Sequence, residues 1–119
     1  MTTHNRILDL DRQTDDCAVA IRCRGELDLS VCDELKQAID RSYAPDLAAL
    51  KIDMTGLTFI DSSGLACILQ TADHCRRLGV TLEVIPSRPV ARLFALAGVD
   101  RHRVGTARDC LADGVRVRP

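Results

Sequence analysis

One stretch near the middle of the chain, residues 51–65, passes from a strand pattern through a short polar turn into a helix pattern. Apolar and charged side chains alternate over residues 50–54, which is the period of a β-strand. After the turn, apolar residues recur at spacings of three and four, at Leu65, Ile68, Leu69 and Ala72. This spacing places them on one face of a helix. A strand that leads directly into a helix predicts a β-α unit, and hence a chain built around a sheet.

Strand and helix patterns alternate along the rest of the chain. Besides 50–54, strands are predicted over about 7–10, 17–24, 80–85 and 101–104, with 11–16 as a polar turn. Helices are predicted to begin near Ser30, Ser63, Ser87 and Thr106. Such alternation favours parallel pairing through right-handed crossovers, with the first strand antiparallel to the second at an edge. We predict an α/β fold with a four- to five-stranded mixed, mostly parallel sheet and about four helices mainly on one side.

Length and charge limit the classes of function. The 119 residues predict a single domain over 1–119, with 1–6 as a frayed N-terminal tail and 115–119 as a C-terminal tail. The net charge is −1, and with two Phe, one Tyr and no Trp the chain lacks the basic excess and the stacking platforms of nucleic-acid binders. No apolar run is long enough for a membrane span or a signal peptide. We therefore expect a cytoplasmic protein that binds neither nucleic acid nor membrane.

The six cysteines form no C-x-x-C pair, which argues against a zinc site or a thioredoxin-like motif. Cys17 and Cys23 share the inward parity of the second strand, and buried thiols behave as small apolar side chains. His74 and Cys75 are adjacent, but neighbouring helical residues point about 100° apart. We expect reduced structural cysteines, no metal and no cofactor.

The turn Asp61-Ser62-Ser63-Gly64 is the most distinctive local feature. The first three residues are helix-capping types, and a cap alone stabilises a helix by about 1 kcal/mol. A structural role therefore remains open beside a functional one. Gly64 lies in the first helical turn, where glycine costs up to about 1 kcal/mol relative to alanine. Its lack of a side chain would let another molecule approach the hydroxyl groups closely.

Catalysis by a serine of this turn is not expected. A nucleophilic serine needs a base within hydrogen-bond reach, and the G-x-S-x-G pattern is absent. The available bases are poorly placed: His4 lies in the predicted tail, His74 more than two helical turns from the loop, and His102 in a weak strand. We predict that the protein is not an enzyme, and a small hydrolase using Ser62 is the disfavoured alternative.

Three segments, in order, carry a resemblance to a known family: Gly25-Glu-Leu-Asp28, the Leu57–Leu65 turn, and Pro89–Gly98. Together they resemble STAS domains, specifically the stand-alone bacterial anti-sigma factor antagonists. The resemblance implies partner switching: the unphosphorylated antagonist binds an anti-sigma factor that is also a serine kinase, which frees a sigma factor. Phosphorylation ends binding, and a separate serine phosphatase resets the protein.

The resemblance also implies roles for individual residues. Ser62 matches the phosphorylated serine, with Ser63 as the rival acceptor. The partner-binding surface would comprise Asp28, Asp61, Ser62, Ser63, Gly64 and Leu65, with a helix cap as the equally weighted alternative for Asp28. A second possibility is a STAS docking module of another signalling or lipid-transport complex, without phosphorylation.

Overall fold

The structure, a computed structural model, describes residues 7–97 and 115–117. The strands are β1 Leu8–Asp15, β2 Ala18–Leu27, β3 Ala49–Ile60, β4 Thr81–Ile85 and β5 Val115–Val117. The helices are α1 Cys32–Asp40, α2 Ser62–Leu78 and α3 Arg88–Leu96. The sheet order is β1-β2-β3-β4-β5, in which β1 pairs antiparallel with β2 and all other pairs are parallel. The predicted mixed sheet is confirmed. The described residues contain three helices, against about four predicted.

The two faces of the sheet differ in what covers them. Ile21, Ile52 and Val84 are completely buried and face the helices. On the opposite face, Lys51 is exposed and Arg22 lies 3.9 Å from the Asp53 carboxylate. This alternation follows from the period of two along each strand. The described helices therefore cover one face of the sheet, as predicted.

One apolar core joins the sheet to the helices. Its largest fully buried side chains are Leu8, Ile21, Leu27, Leu35, Leu50, Ile52, Met54, Leu57, Ile68, Leu82, Val84 and Val90. Each such side chain stabilises the fold by about 1.5–3 kcal/mol relative to an exposed position. Leu27 and Ile68 extend this core to the end of the sheet at which α2 begins, so the N-terminus of α2 rests on packed side chains.

β3 extends well past its neighbour β4. The two strands pair only over residues 49–53, whereas β3 runs on beside β2 to Ile60. The register of the β2–β3 pair shifts twice along this part, at Arg22/Arg24 and Gly25/Glu26. α3 packs against β3. The turn that follows β3 is thus held at the end of a strand with one paired neighbour.

Several predicted boundaries are wrong. Residues 11–15 belong to β1 rather than to a turn, and the chain reverses at Asp16 with a positive φ of 53°. β3 begins at Ala49 and continues to Ile60 instead of ending at residue 54. The predicted tail 115–119 contains β5, which pairs with β4. The strand predicted at 101–104, the helix predicted near Thr106 and the tail 1–6 lie outside the described residues.

The helix ends are only partly as predicted. Ser87 caps α3 by accepting a hydrogen bond from the Val90 N–H, as expected for a helix that begins there, and α2 ends at Gly79, which has a φ of 74°. Ser30, where a helix was predicted to begin, does not cap one: α1 begins at Cys32, with Val31 at the N-cap and no side-chain cap.

The cysteines are mostly buried free thiols. Cys23, Cys67 and Cys75 are buried, and burial raises the pKa of Cys23 to about 12 and that of Cys67 to about 11. These thiols therefore stay protonated near neutral pH. Cys17 was expected to face inward, but it is exposed because it lies in the β1–β2 turn rather than in β2. Cys110 lies outside the described residues.

Candidate functional site: the turn between β3 and α2

Asp61 holds the turn together through its backbone and its side chain. Its N–H donates to the Leu27 carbonyl at 3.3 Å, which ties the turn to the end of β2. Its carboxylate accepts from the Ser63 N–H at 2.9 Å and the Gly64 N–H at 3.2 Å. Its carbonyl accepts from the Leu65 N–H at 3.1 Å. A carboxylate at this position satisfies otherwise unpaired helix N–H groups and complements the helix dipole.

Ser62 is the first residue of α2, and its side chain is exposed. Asp61 already caps the helix, so the Ser62 hydroxyl is not needed for that purpose. Within residues 7–97 and 115–117 this hydroxyl makes no hydrogen bond. Ser63 is half-buried. Of the two serines, Ser62 is therefore the one that an enzyme can reach without displacing other groups.

Gly64 serves a different purpose from the one the sequence suggested. It is buried, and a Cβ on it would lie 2.8 Å from Ile60 Cγ1 and 2.9 Å from Leu27 Cδ2. Such distances are shorter than any normal carbon contact, so the glycine allows α2 to approach the ends of β2 and β3 closely. The expected open approach for another molecule at Gly64 is wrong. Leu65 is 7% exposed and also packs in the core.

Asp28 lies in a second turn of the same kind, between β2 and α1. Its carboxylate accepts from the Ser30 N–H at 2.9 Å and from the Ser30 hydroxyl at 2.6 Å. The Val31 N–H donates to the Asp28 carbonyl at 3.1 Å. The carboxylate therefore stabilises its own loop and does not cap α1, so the helix-cap alternative for Asp28 is wrong. Partner contact by Asp28 stays a prediction.

The two turns are neighbours because β2 and β3 are paired to their ends, at Leu27 and Ile60. Asp28 and Asp61 both lie near enough to Cys32, at the start of α1, to influence its thiol. Burial raises the pKa of the Cys32 thiol, and the carboxylates of Asp61, Asp28 and Asp33 raise it further. Three aspartate carboxylates therefore lie around the start of α1, and one of them, Asp61, directly precedes Ser62.

Two exposed apolar residues at this end of the sheet were not selected from the sequence. Leu29 is 74% exposed between Asp28 and Ser30, and Phe59 is 46% exposed near the end of β3. Phe59 pairs in register with Glu26, while Ile60 beside it is buried. Leu29 could have been noticed as an apolar residue inside a polar turn. Phe59 fits an ordinary strand pattern, and only its exposure distinguishes it.

The described residues offer little for catalysis or metal binding at this turn. The ring of His74 stacks on Tyr43, with centroids 4.6 Å apart. His4 and His102 lie outside the described residues. No group of three His, Cys, Asp or Glu side chains among the described residues is arranged to hold a metal ion. None of the three described helices has the length and apolar character that a membrane crossing requires.

Comparison of the sequence with known protein families identifies the family of this chain. The sequence profile of the STAS domain matches residues 9–109, which is most of the chain. This chain belongs to the STAS family. Within this STAS domain, the matched region includes both turns described above and all three described helices.

Individual relatives are anti-sigma factor antagonists. The anti-sigma-F factor antagonist RsfA of Mycobacterium tuberculosis is 30% identical over 89 residues, which are 72% of this chain and 70% of RsfA. An anti-sigma factor antagonist from Mycobacterium paratuberculosis superimposes with a TM-score of 0.72 at 23% identity, over 94% of this chain and 97% of that one. The anti-sigma factor antagonist SpoIIAA in its unphosphorylated form superimposes with a TM-score of 0.65 at 21% identity. The match covers 76% of this chain and 82% of SpoIIAA. At these identities the structural likenesses establish the fold.

Proposed function

We propose that this STAS domain is an anti-sigma factor antagonist that works by partner switching. In its unphosphorylated form it binds an anti-sigma factor with serine-kinase activity and so frees a sigma factor. The kinase phosphorylates Ser62, binding is lost, and a serine phosphatase restores the hydroxyl. The relative RsfA is an antagonist of an anti-sigma factor, which supports the proposal that an anti-sigma factor is the partner of this chain.

The observation that carries this proposal is the independence of the Ser62 hydroxyl from the fold. The side chain is exposed, while the backbone around it is held by Asp61. A phosphate adds about −1.5 to −2 charge at pH 7. At a helix N-terminus this charge is favourable. The first turn of α2 adds no acidic residue, so the capping Asp61 is the one like charge in this segment. Phosphorylation is therefore compatible with the folded domain.

Loss of binding then arises at the interface. A phosphate on Ser62 would stand beside Asp61, and the turn that contains Asp28 adjoins it through the bond from the Asp61 N–H to the Leu27 carbonyl. The added charge and bulk change the surface that a partner meets. We assign partner contact to Asp28, Asp61, Ser62 and Ser63. Gly64 and Leu65 belong to the same segment, and their burial gives them a supporting role beneath it.

The test combines site mapping with binding measurements. After incubation of the protein with its cognate anti-sigma factor and ATP, mass spectrometry should locate the phosphate on Ser62. Ser62→Asp should weaken binding in calorimetric titration by at least about 10-fold, or about 1.4 kcal/mol. Its circular dichroism spectrum and Tm should match those of the wild type.

Ser63→Ala is the matched control, and it should still be phosphorylated. A phosphate found only on Ser63 would remove the assignment to Ser62. Global unfolding of Ser62→Asp would contradict an interface mechanism. Binding that is unaffected by Ser62→Asp, to a partner without kinase activity, would instead favour a docking module that is not regulated by phosphorylation.

A further inference from the structure

Leu29 and Ser62 occupy equivalent positions in two neighbouring turns. Each follows directly after an aspartate whose carboxylate accepts the N–H two residues further on, from Ser30 in one turn and Ser63 in the other. Paired strands place the two turns side by side, because the Asp61 N–H donates to the Leu27 carbonyl. The residue presented outward is a serine in one turn and a leucine in the other.

The Leu29 side chain contributes little to the core formed by the described residues. Leu29 is 74% exposed, although Leu27 and Val31 on either side of it are buried. Phe59 is a second exposed apolar side chain at the same end of the sheet, three residues before Ser62. Burying such side chains against a partner removes apolar surface from water, at about 25 cal/mol per Å². Apolar side chains at the centre of an interface supply much of its binding energy.

The charges around these two residues restrict the partner further. Asp28, Asp33 and Asp61 lie close enough together to act on the Cys32 thiol, and the exposed Glu26 pairs in register with Phe59. A partner that covers Leu29 meets the neighbouring Asp28, and one that covers Phe59 meets the exposed Glu26 paired with it. Complementary charge at the rim of an interface favours encounter and disfavours wrong partners.

We propose that Leu29 and Phe59 are apolar anchors of the surface around Ser62, and that the anti-sigma factor receives them in an apolar depression rimmed by basic side chains. This inference rests on the proposed function and specifies the chemistry of its partner. It also links the anchors to the switch, since a phosphate on Ser62 stands next to the Leu29 turn. The anchors contribute to the affinity of the complex, and a phosphate on Ser62 prevents the partner from making these contacts.

The test measures affinity for the anti-sigma factor that binds the wild-type chain. Leu29→Ala and Phe59→Ala should each weaken binding by about 10-fold, or about 1.4 kcal/mol. Leu78→Ala is the matched control, because Leu78 is 53% exposed at the far end of α2, and it should leave the affinity unchanged. Leu29 is so exposed that its replacement should leave the Tm of the chain unchanged, even if Phe59→Ala lowers it.

The charge of the partner is tested at the same position. Leu29→Lys should weaken binding more than Leu29→Glu, and the wild-type affinity should fall as salt is raised. The opposite order of the two variants would overturn the basic rim. Wild-type affinity in Leu29→Ala and Phe59→Ala would overturn the anchors while Ser62→Asp still tests the proposed function. A wild-type chain that binds no anti-sigma factor would overturn both proposals.

A second copy of the chain is the competing occupant of this surface. Light scattering on the isolated protein, with and without Leu29→Ala, distinguishes the two. A monomeric wild type is expected. A wild-type dimer that Leu29→Ala dissociates would assign the anchors to self-association and overturn the proposal.

Discussion

The turns at Asp61 and Asp28 begin alike and end differently. In both, a carboxylate after a parallel strand accepts the N–H two residues on. At Asp61 the second bond goes to the Gly64 N–H, inside the helix, and the adjacent Ser62 hydroxyl is left available. At Asp28 the second bond comes from the Ser30 hydroxyl, and α1 begins without a side-chain cap. The difference shows how one aspartate can free a hydroxyl and another can occupy one.

The residue three positions after each aspartate is buried, but only one of them is a glycine. Val31 packs in the core after Asp28, whereas Gly64 fits against Leu27 and Ile60 after Asp61. Gly64 therefore lets the first turn of α2 pack directly against Leu27 and Ile60. This close packing, together with the cap, fixes the backbone on either side of Ser62.

The largest expected effect is that of Gly64→Val, which tests this close packing. Overfilling a packed site costs about 1–3 kcal/mol, and we expect a loss of about 2 kcal/mol in the free energy of unfolding. The matched control is Ala66→Val, on the exposed side of the same helix, which should cost about 0.5 kcal/mol or less from helix propensity. Urea unfolding measures both. Equal losses would show that α2 does not rest on Leu27 and Ile60 as described.

The next effect separates the two aspartates. Asp61→Ala removes a helix cap and should lower the free energy of unfolding by about 1–2 kcal/mol. Asp28→Ala breaks bonds confined to an exposed loop, where water replaces them, and should cost about 0.5 kcal/mol. The two variants are compared by denaturant unfolding under one set of conditions. A loss at Asp28 as large as that at Asp61 would contradict the distinction between capping and loop stabilisation.

The smallest effect concerns the two hydroxyl groups. Ser62→Ala should change the free energy of unfolding by less than about 0.5 kcal/mol, because its side chain is exposed and makes no hydrogen bond within the described residues. Ser30→Ala loses its 2.6 Å bond to Asp28 and should be the more destabilising of the pair. Thermal melts of the two variants in parallel provide the comparison. A destabilised Ser62→Ala would mean that the hydroxyl is part of the fold.

The fold followed from local patterns in the sequence, and the errors arose where distant residues decide. The strand at 50–54 was recognised from alternation, but residues 55–60 contain threonines and Gly56, which are typical of a loop. They form a strand because β2 pairs with them through shifts in register. The prediction made β1 too short because residues 11–15 are polar. They form a strand nevertheless, because β1 lies at the edge of the sheet and pairs with β2.

The site was predicted in position but only partly in its workings. Asp61 and Ser62 lie at the start of a helix, as capping chemistry indicated. The purpose of Gly64 was not predictable, because it depends on Leu27, which lies 37 positions earlier in the chain. Phe59 was missed because its exposure is a property of the folded chain, whereas Leu29 did carry a local signal, as an apolar residue inside a polar turn.

The extension of β3 beyond β4 affects access to Ser62 in the proposed cycle of phosphorylation and dephosphorylation. Residues 54–60 continue past the last pairing with β4, a distance of about 20 Å at roughly 3.3 Å per residue. Ser62 lies just after this extension, and its side chain is exposed at the start of α2. On the proposed function, a kinase and a phosphatase would each reach that side chain without separating the strands, so repeated cycles of phosphorylation would leave the sheet intact.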